Sequence, residues 1–192
     1  PAEGQPMTDG PHVVAVCGSL REASRTRRAL SHALDGVRES GGSGELIDLR
    51  QFDLPMYDPD VDDQADGHEL RVRLRAADAV ILGTPMYHGS YSNVVKNALD
   101  YCGFDEFEGK TVGLLAVAGG SFPVTALEHL RSVCRALDAW VVPHQVAVPR
   151  ASGAIDEDGT FDDEGLAERV RVLGRRVVQY ADIEPDPASF ES

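Results

Sequence analysis

Short, nearly uninterrupted apolar runs alternate along this chain with stretches of helical period, and that alternation limits the fold more than any other feature. Val13 to Cys17, Ala79 to Gly83 and Thr111 to Val117 are such runs, the pattern of strands buried on both faces of a parallel sheet. Glu45 to Leu49 reads as a weaker strand nearer an edge. Val141 to Val148 supplies a fifth, with Pro143 near its beginning, where a missing backbone donor is most easily tolerated. Ala29, Leu30, Ala33, Leu34 and Val37 share one helical face behind a Ser24 cap, and Gly41, Gly42 and Gly44 end that helix. Leu70, Val72 and Leu74 alternate with Arg71, Arg73 and Arg75, which is strand spacing, yet a crossover between parallel strands demands a helix there. Three further helical stripes follow: Val94, Val95, Ala98 and Leu99 behind Ser92; Leu127, Leu130, Val133, Cys134 and Leu137 after Pro123; and Leu166, Val170, Leu173 and Val177 behind Asp162 or Asp163.

Five parallel strands, each followed by a helix, predict a three-layer, doubly wound α/β domain, for which the flavodoxin-like order 2-1-3-4-5 is a common solution. The expected boundaries are a flexible segment 1–11, the domain 12–181 and a tail 182–192 containing Pro185 and Pro187. No apolar run approaches the ~18 residues a membrane span requires. The polar stretch Pro1 to His12 does not read as a secretory signal, so a cytoplasmic protein is expected. Thirty-two acidic against 18 basic residues give a net charge of −14, which makes nucleic acid an improbable partner. The aspartates gather in 58–66 and 156–163, loop-like and solvated, and only Lys96 and Lys110 stand among the arginines. Such an acidic, lysine-poor composition resembles proteins of salt-loving microbes. Cys17, Cys102 and Cys134 are odd in number and widely spaced, which excludes a zinc or iron–sulfur cluster and suggests reduced core thiols.

In doubly wound sheets, ligands sit at the carboxyl ends of the strands. After the first strand comes Gly18-Ser19-Leu20-Arg21-Glu22-Ala23-Ser24-Arg25-Thr26, leading into a helix. Unpaired N–H groups at a helix start, serine hydroxyls and an arginine fork suit a phosphate. The spacing is neither GxGxxG nor GxxxxGK[ST], which argues against an adenine dinucleotide or ATP in this loop. Ser24 alone is equally well read as a plain cap. After the third strand comes Thr84-Pro85-Met86-Tyr87-His88-Gly89-Ser90, where Pro85 and Gly89 shape a turn, Tyr87 offers an aromatic face and His88 a donor. After the fourth comes Ala118-Gly119-Gly120-Ser121, whose glycines expose backbone N–H groups or simply make a tight turn. Each loop has an ordinary structural explanation by itself, but the three follow strands that are neighbours in the expected sheet and so converge on one cleft.

Taken together these segments resemble the NADPH-dependent FMN reductase family, relatives of the flavodoxins that include quinone and azo reductases, over residues 12 to 180. The family's phosphate loop GSxRxxS is similar to Gly18, Ser19, Arg21 and Ser24. Its TPxYxGSxxxxxKNALD segment resembles Thr84, Pro85, Tyr87, Gly89, Ser90 and Lys96 to Asp100, and its AGG turn resembles Ala118 to Gly120. The resemblance implies that Ser19, Arg21, Ser24 and Thr26 hold the FMN phosphate. It further implies that Pro85, Met86, Tyr87, His88, Gly89, Ser90, Gly119, Gly120 and Ser121 border the isoalloxazine ring. Relatives often carry Asn at position 26, and Glu and Asn at positions 86 and 88. FMN is then the cofactor, NADPH or NADH the donor, and a quinone, azo compound, metal oxyanion or second flavin the acceptor. A homodimer or homotetramer is also implied.

No triad, paired carboxylates or metal cluster emerges from the sequence, so the flavin would carry the chemistry. A non-enzymatic flavodoxin-like electron carrier is the rival reading, against which Arg21 argues, because such carriers usually hold the phosphate without an arginine. A phospho-receiver domain would require an aspartate at the end of the third strand, which reads Leu82-Gly83-Thr84.

Overall fold

The computed structural model describes residues 10–62, 64–181 and 183. The expected tail therefore lies outside the described residues apart from Ile183, as does the opening segment before Gly10. Strands β1 (His12–Cys17), β2 (Ser43–Asp48), β3 (Ala79–Pro85), β4 (Thr111–Val117), β5 (Trp140–Val141) and β6 (Val146–Val148) form one parallel sheet in the order β2-β1-β3-β4-β5, with β6 also paired to β4. The helices are α1 (Arg25–Glu39), α2 (Gly67–Ala76), α3 (Asn93–Asp100), α4 (Phe104–Phe107), α5 (Val124–Ala136), α6 (Ala151–Ala154) and α7 (Glu164–Gln179). No helix among the described residues is long and apolar enough to cross a membrane.

Every residue of β3 and β4 is buried, as their continuous apolar runs require of strands covered on both faces. Alternate side chains divide the core. Val13, Ala15, Ile81 and Leu115 meet α1 and α7 on one face, whereas Val14, Val16, Val80, Leu82 and Leu114 meet α2, α3 and α5 on the other. Helices α1 and α7 cross closely because glycines face each other's backbone. A Cβ on Gly36 would lie 2.1 Å from the Arg171 carbonyl oxygen, and one on Gly174 would lie 1.9 Å from that of Ala33.

The ambiguous stretch around Leu70 is helical: Leu70 and Leu74, four apart, are buried, and Val72 between them faces outward. Ser24, Ser92 and Asp163 cap their helices, accepting from the N–H groups of Arg27, Val95 and Gly165. The fifth strand departs from the expected run Val141 to Val148. Both β5 and β6 pair with β4, but Val112 to Leu115 covers three steps while Val141 to Val146 covers five, so residues 142–145 bulge out of the ladder. Pro143, which has no N–H to give, sits in that bulge.

Candidate functional site

The loops that follow β1, β3 and β4 meet at the carboxyl edge of the sheet around a cleft of about 160 Å³. Ser19, Arg21, Ala23, Arg25 and Thr26 line one end, Pro85, Met86 and Tyr87 another, and Val117, Ala118, Gly119, Ala151 and Ser152 the third.

The phosphate-type loop is fixed from both sides. Gly18 N–H donates to the Gly83 carbonyl at 2.8 Å, and the buried Ser92 hydroxyl donates to the Gly18 carbonyl at 2.7 Å. Ser24 is buried and its Oγ accepts from Arg27 N–H at 3.1 Å, while the Ser24 carbonyl accepts from Arg28 N–H. Its side chain does not line the cleft, so here its hydroxyl serves the helix cap. The N–H groups of Arg25 and Thr26, first in α1, have no hydrogen-bond partner among the described residues. Arg21 is exposed, and its guanidinium pairs with no carboxylate among the described residues; the same holds for Arg25. Arg27, by contrast, is committed to Asp48 at 2.7 Å. The end of the cleft at α1 therefore holds two unpaired cations and the positive end of a helix inside a chain of net charge −14. Beneath it, burial pushes the Cys17 thiol up from its ordinary value, against hydrogen bonds from the Ser19 backbone and the Ser24 hydroxyl.

The second loop is a two-residue hairpin. Tyr87 and Ser90 exchange N–H···O bonds of 3.0 and 3.2 Å, with His88 at φ 51° and Gly89 at φ 84° between them. Both central residues are left-handed, which glycine adopts freely and histidine more readily than most residues. This geometry turns Tyr87 to the cleft rim, half exposed, and points His88 away into solvent. Ser90 Oγ lies 2.9 Å from His129 Nδ1 on α5, and Thr125 Oγ1 donates to Met86 Sδ at 3.6 Å, so α5 braces the hairpin.

In the third loop Gly119 lines the cleft. Gly120 and Ser121 are exposed beside it, and the Gly120 carbonyl accepts from Arg150 N–H. Of the thirteen candidate residues, Ser19, Arg21, Thr26, Pro85, Met86, Tyr87 and Gly119 line the cleft. Ser24, His88, Gly89, Ser90, Gly120 and Ser121 shape the loops around it. The sequence reading missed Ala151 and Ser152, which the rule that ligands gather at strand carboxyl ends reaches once β6 is recognised as a strand beside β4. Arg25, quoted within the first loop, was not singled out as a site residue, and His129 was missed because no local motif gives a signal for it.

Comparisons with known proteins agree with this architecture. The model of the NADPH-dependent FMN reductase family matches residues 11–153. An FMN-dependent NADPH-azoreductase of Staphylococcus aureus (strain USA300) is 33% identical over 178 residues, covering 88% of this chain and 95% of that protein. Among solved structures, the apo form of an NADH:FMN oxidoreductase (EMOB) superposes with a TM-score of 0.75 at 23% identity, covering 93% of this chain and 92% of the other. FerB, a flavoenzyme NAD(P)H:(acceptor) oxidoreductase from Paracoccus denitrificans, gives 0.74 at 25% identity, covering 90% and 97%. A family model spanning most of the chain, a relative one-third identical along nearly its whole length and a shared strand order lead to one assignment: the chain belongs to the NADPH-dependent FMN reductase family.

Proposed function

We propose that this chain is an FMN-dependent NAD(P)H oxidoreductase that reduces a small aromatic acceptor, an azo compound or a quinone. Metal oxyanions and free flavin are secondary candidates. The observation that carries the reading is a single cleft that joins a helix N-terminus and arginines without carboxylate partners among the described residues to the apolar wall of Pro85, Met86 and Tyr87. This donor set fits FMN: a dianionic phosphate matches the cationic end and a flat ring matches the apolar one. Ser19, Arg21, Thr26 and the first N–H groups of α1 would hold the phosphate, with Ser24 fixing that helix start. Pro85, Met86, Tyr87 and Gly119 would flank the ring, on loops shaped by His88, Gly89, Ser90, Gly120 and Ser121. When bound, FMN supplies the redox chemistry, accepting hydride from the nicotinamide and passing electrons to the acceptor.

The protein's own part is to bind and orient. The loops fix the cleft by buried hydrogen bonds, and Tyr87 stands at its open side, where a planar donor or acceptor stacks. In this reading donor and acceptor use that open side in turn. An apolar groove of about 280 Å³ lined by Leu20, Phe52, Met56 and Val94 adjoins the phosphate loop. Covering it with a second copy, as in a homodimer or a homotetramer, would extend the site wall. A cytoplasmic, reducing setting suits three free thiols. The purified protein is expected to show flavin absorbance bands near about 370 and about 450 nm. Double-reciprocal plots against NADPH at several quinone concentrations are expected to be parallel. Converging lines would end the shared-side model, and a colourless protein that neither takes up FMN nor oxidises NADPH would end the functional reading. FMN uptake with very slow NADPH oxidation would favour the electron carrier.

A further inference from the structure

Helix α1 carries Arg25, Arg28 and His32 along one face, three and four residues apart. Each side chain reaches a main-chain carbonyl of the same distant segment. Arg25 Nε donates to the Ile155 carbonyl at 3.1 Å, Arg28 Nη1 to that of Asp156 at 2.8 Å, and His32 Nε2 lies 2.8 Å from that of Gly159. A carbonyl only accepts, so His32 carries its proton on Nε2. Its Nδ1 is buried and has no hydrogen-bond partner among the described residues. The Phe161 ring stands edge-on to the imidazole at 4.9 Å between centroids.

The segment that receives these contacts has its own internal order. Ile155 and Phe161 form an antiparallel bridge, and the Asp156 carboxylate accepts from the N–H groups of Asp158 and Thr160 at 3.0 and 2.8 Å. Ile155 and Phe161 are buried in the core beneath α1 and α7. This small hairpin follows directly on Ala151 and Ser152, which line the cleft. Arg25 lines the same cleft from the opposite side of the contact. With Nε committed to Ile155, the Arg25 side chain has a fixed direction, and its two terminal nitrogens are the donors left for a ligand.

We propose that the hairpin 155–161 forms part of the phosphate end of the flavin site. It holds Arg25 at the cleft as a second cation beside Arg21, and Arg28 and His32 are positioning residues that hold the hairpin to α1. The proposal rests on the FMN reading above. It makes cofactor affinity depend on side chains that touch no part of the cleft.

The test is fluorescence-quenching titration of the full-length, flavin-stripped protein with FMN and, separately, with riboflavin. Arg25→Ala is expected to weaken FMN about tenfold while leaving riboflavin unchanged. His32→Ala and Arg28→Ala are expected to weaken FMN roughly threefold to tenfold with the same selectivity. In His32→Gln an amide N–H can still reach the Gly159 carbonyl, so FMN affinity should return to near the wild-type value. The proposal is overturned if Arg25→Ala leaves FMN binding intact or weakens both flavins equally. It is also overturned if His32→Ala lowers the melting temperature but binds FMN as the wild type does, since the hairpin would then only tie the helix down. Should His32→Ala not fold, the exposed contact removed in Arg28→Ala decides the same question. A wild type that binds neither flavin would defeat the FMN reading itself, whereas a wild type that binds FMN without sensitivity to these variants would defeat only the role given to the hairpin.

Discussion

The Ser92 hydroxyl, buried at the start of α3, lies 2.7 Å from the carbonyl oxygen of Gly18 at the end of β1. Ser92 Oγ also accepts the Val95 N–H at 3.2 Å, and Ser92 N–H donates to Thr84 Oγ1 at 2.9 Å. One side chain therefore caps α3 and joins the phosphate loop to the loop that carries Tyr87. Replacing Ser92 by Ala removes a cap and leaves the buried Gly18 carbonyl without its donor. We expect a loss of about 2 to 3 kcal/mol in urea unfolding. Ser92→Thr, which keeps the hydroxyl, should recover at least half of it. A loss below about 0.5 kcal/mol for Ser92→Ala would mean that the two loops are held apart from this contact.

Arg21 is exposed and pairs with no carboxylate among the described residues, so removing it should cost the fold little. Arg21→Ala is expected to weaken FMN binding by roughly ten- to a hundredfold, the effect of one charge-assisted contact to phosphate. Riboflavin, which lacks the phosphate, should bind as before. Equal weakening of both ligands in parallel titrations would show that Arg21 does not meet the phosphate.

Salt should act on this protein through its net charge of −14. Repulsion among exposed aspartates is long-ranged and fades as the screening length falls from ~10 Å at 0.1 M to ~3 Å at 1 M, whereas contacts to a phosphate at the helix start are short and sheltered. Melting temperature and flavin retention are expected to rise as KCl goes from ~0.1 to ~2 M. A flat or falling melting curve would leave the acidic surface as ordinary solubilising charge, without adaptation to high salt.

The thiols should be silent near neutrality. Burial pushes Cys102 and Cys134 from an ordinary 9.0 up to about 12. Between those values the unfolded chain loses these protons while the folded chain keeps them. Stability supplied by the two thiols is therefore complete below pH 9 and falls as pH rises from there towards about 12. Urea midpoints should decline through the alkaline range, and the decline should shrink in a Cys102→Ser, Cys134→Ala double variant. Rapid reaction of the native protein with a thiol reagent at neutral pH would contradict the burial that causes the shift.

The sequence by itself determined the first four strands, the long covering helices and their order, because a strand covered on both faces must be apolar without interruption and a covering helix must be apolar at intervals of three and four; the short helices α4 and α6 carry no such pattern. Val13 to Cys17 and Ala29 to Val37 carry that information locally. The three loops were legible for the same reason: they are the segments that directly follow those strands. The tertiary structure alone decided how each loop side chain is used. Ser24 spends its hydroxyl on the N–H of Arg27, while Ser19 and Thr26 in the same stretch face the cleft. Arg27 is taken by Asp48, and Arg25 is aimed by the Ile155 carbonyl from a hairpin more than a hundred residues away. A motif records which residue types are present, but whether a donor remains free for a ligand depends on long-range partners that only the folded chain brings within hydrogen-bond distance. The break in the fifth strand has the same origin: Pro143 is visible in the sequence, but the bulge it occupies follows from β4 fixing both ends of the ladder.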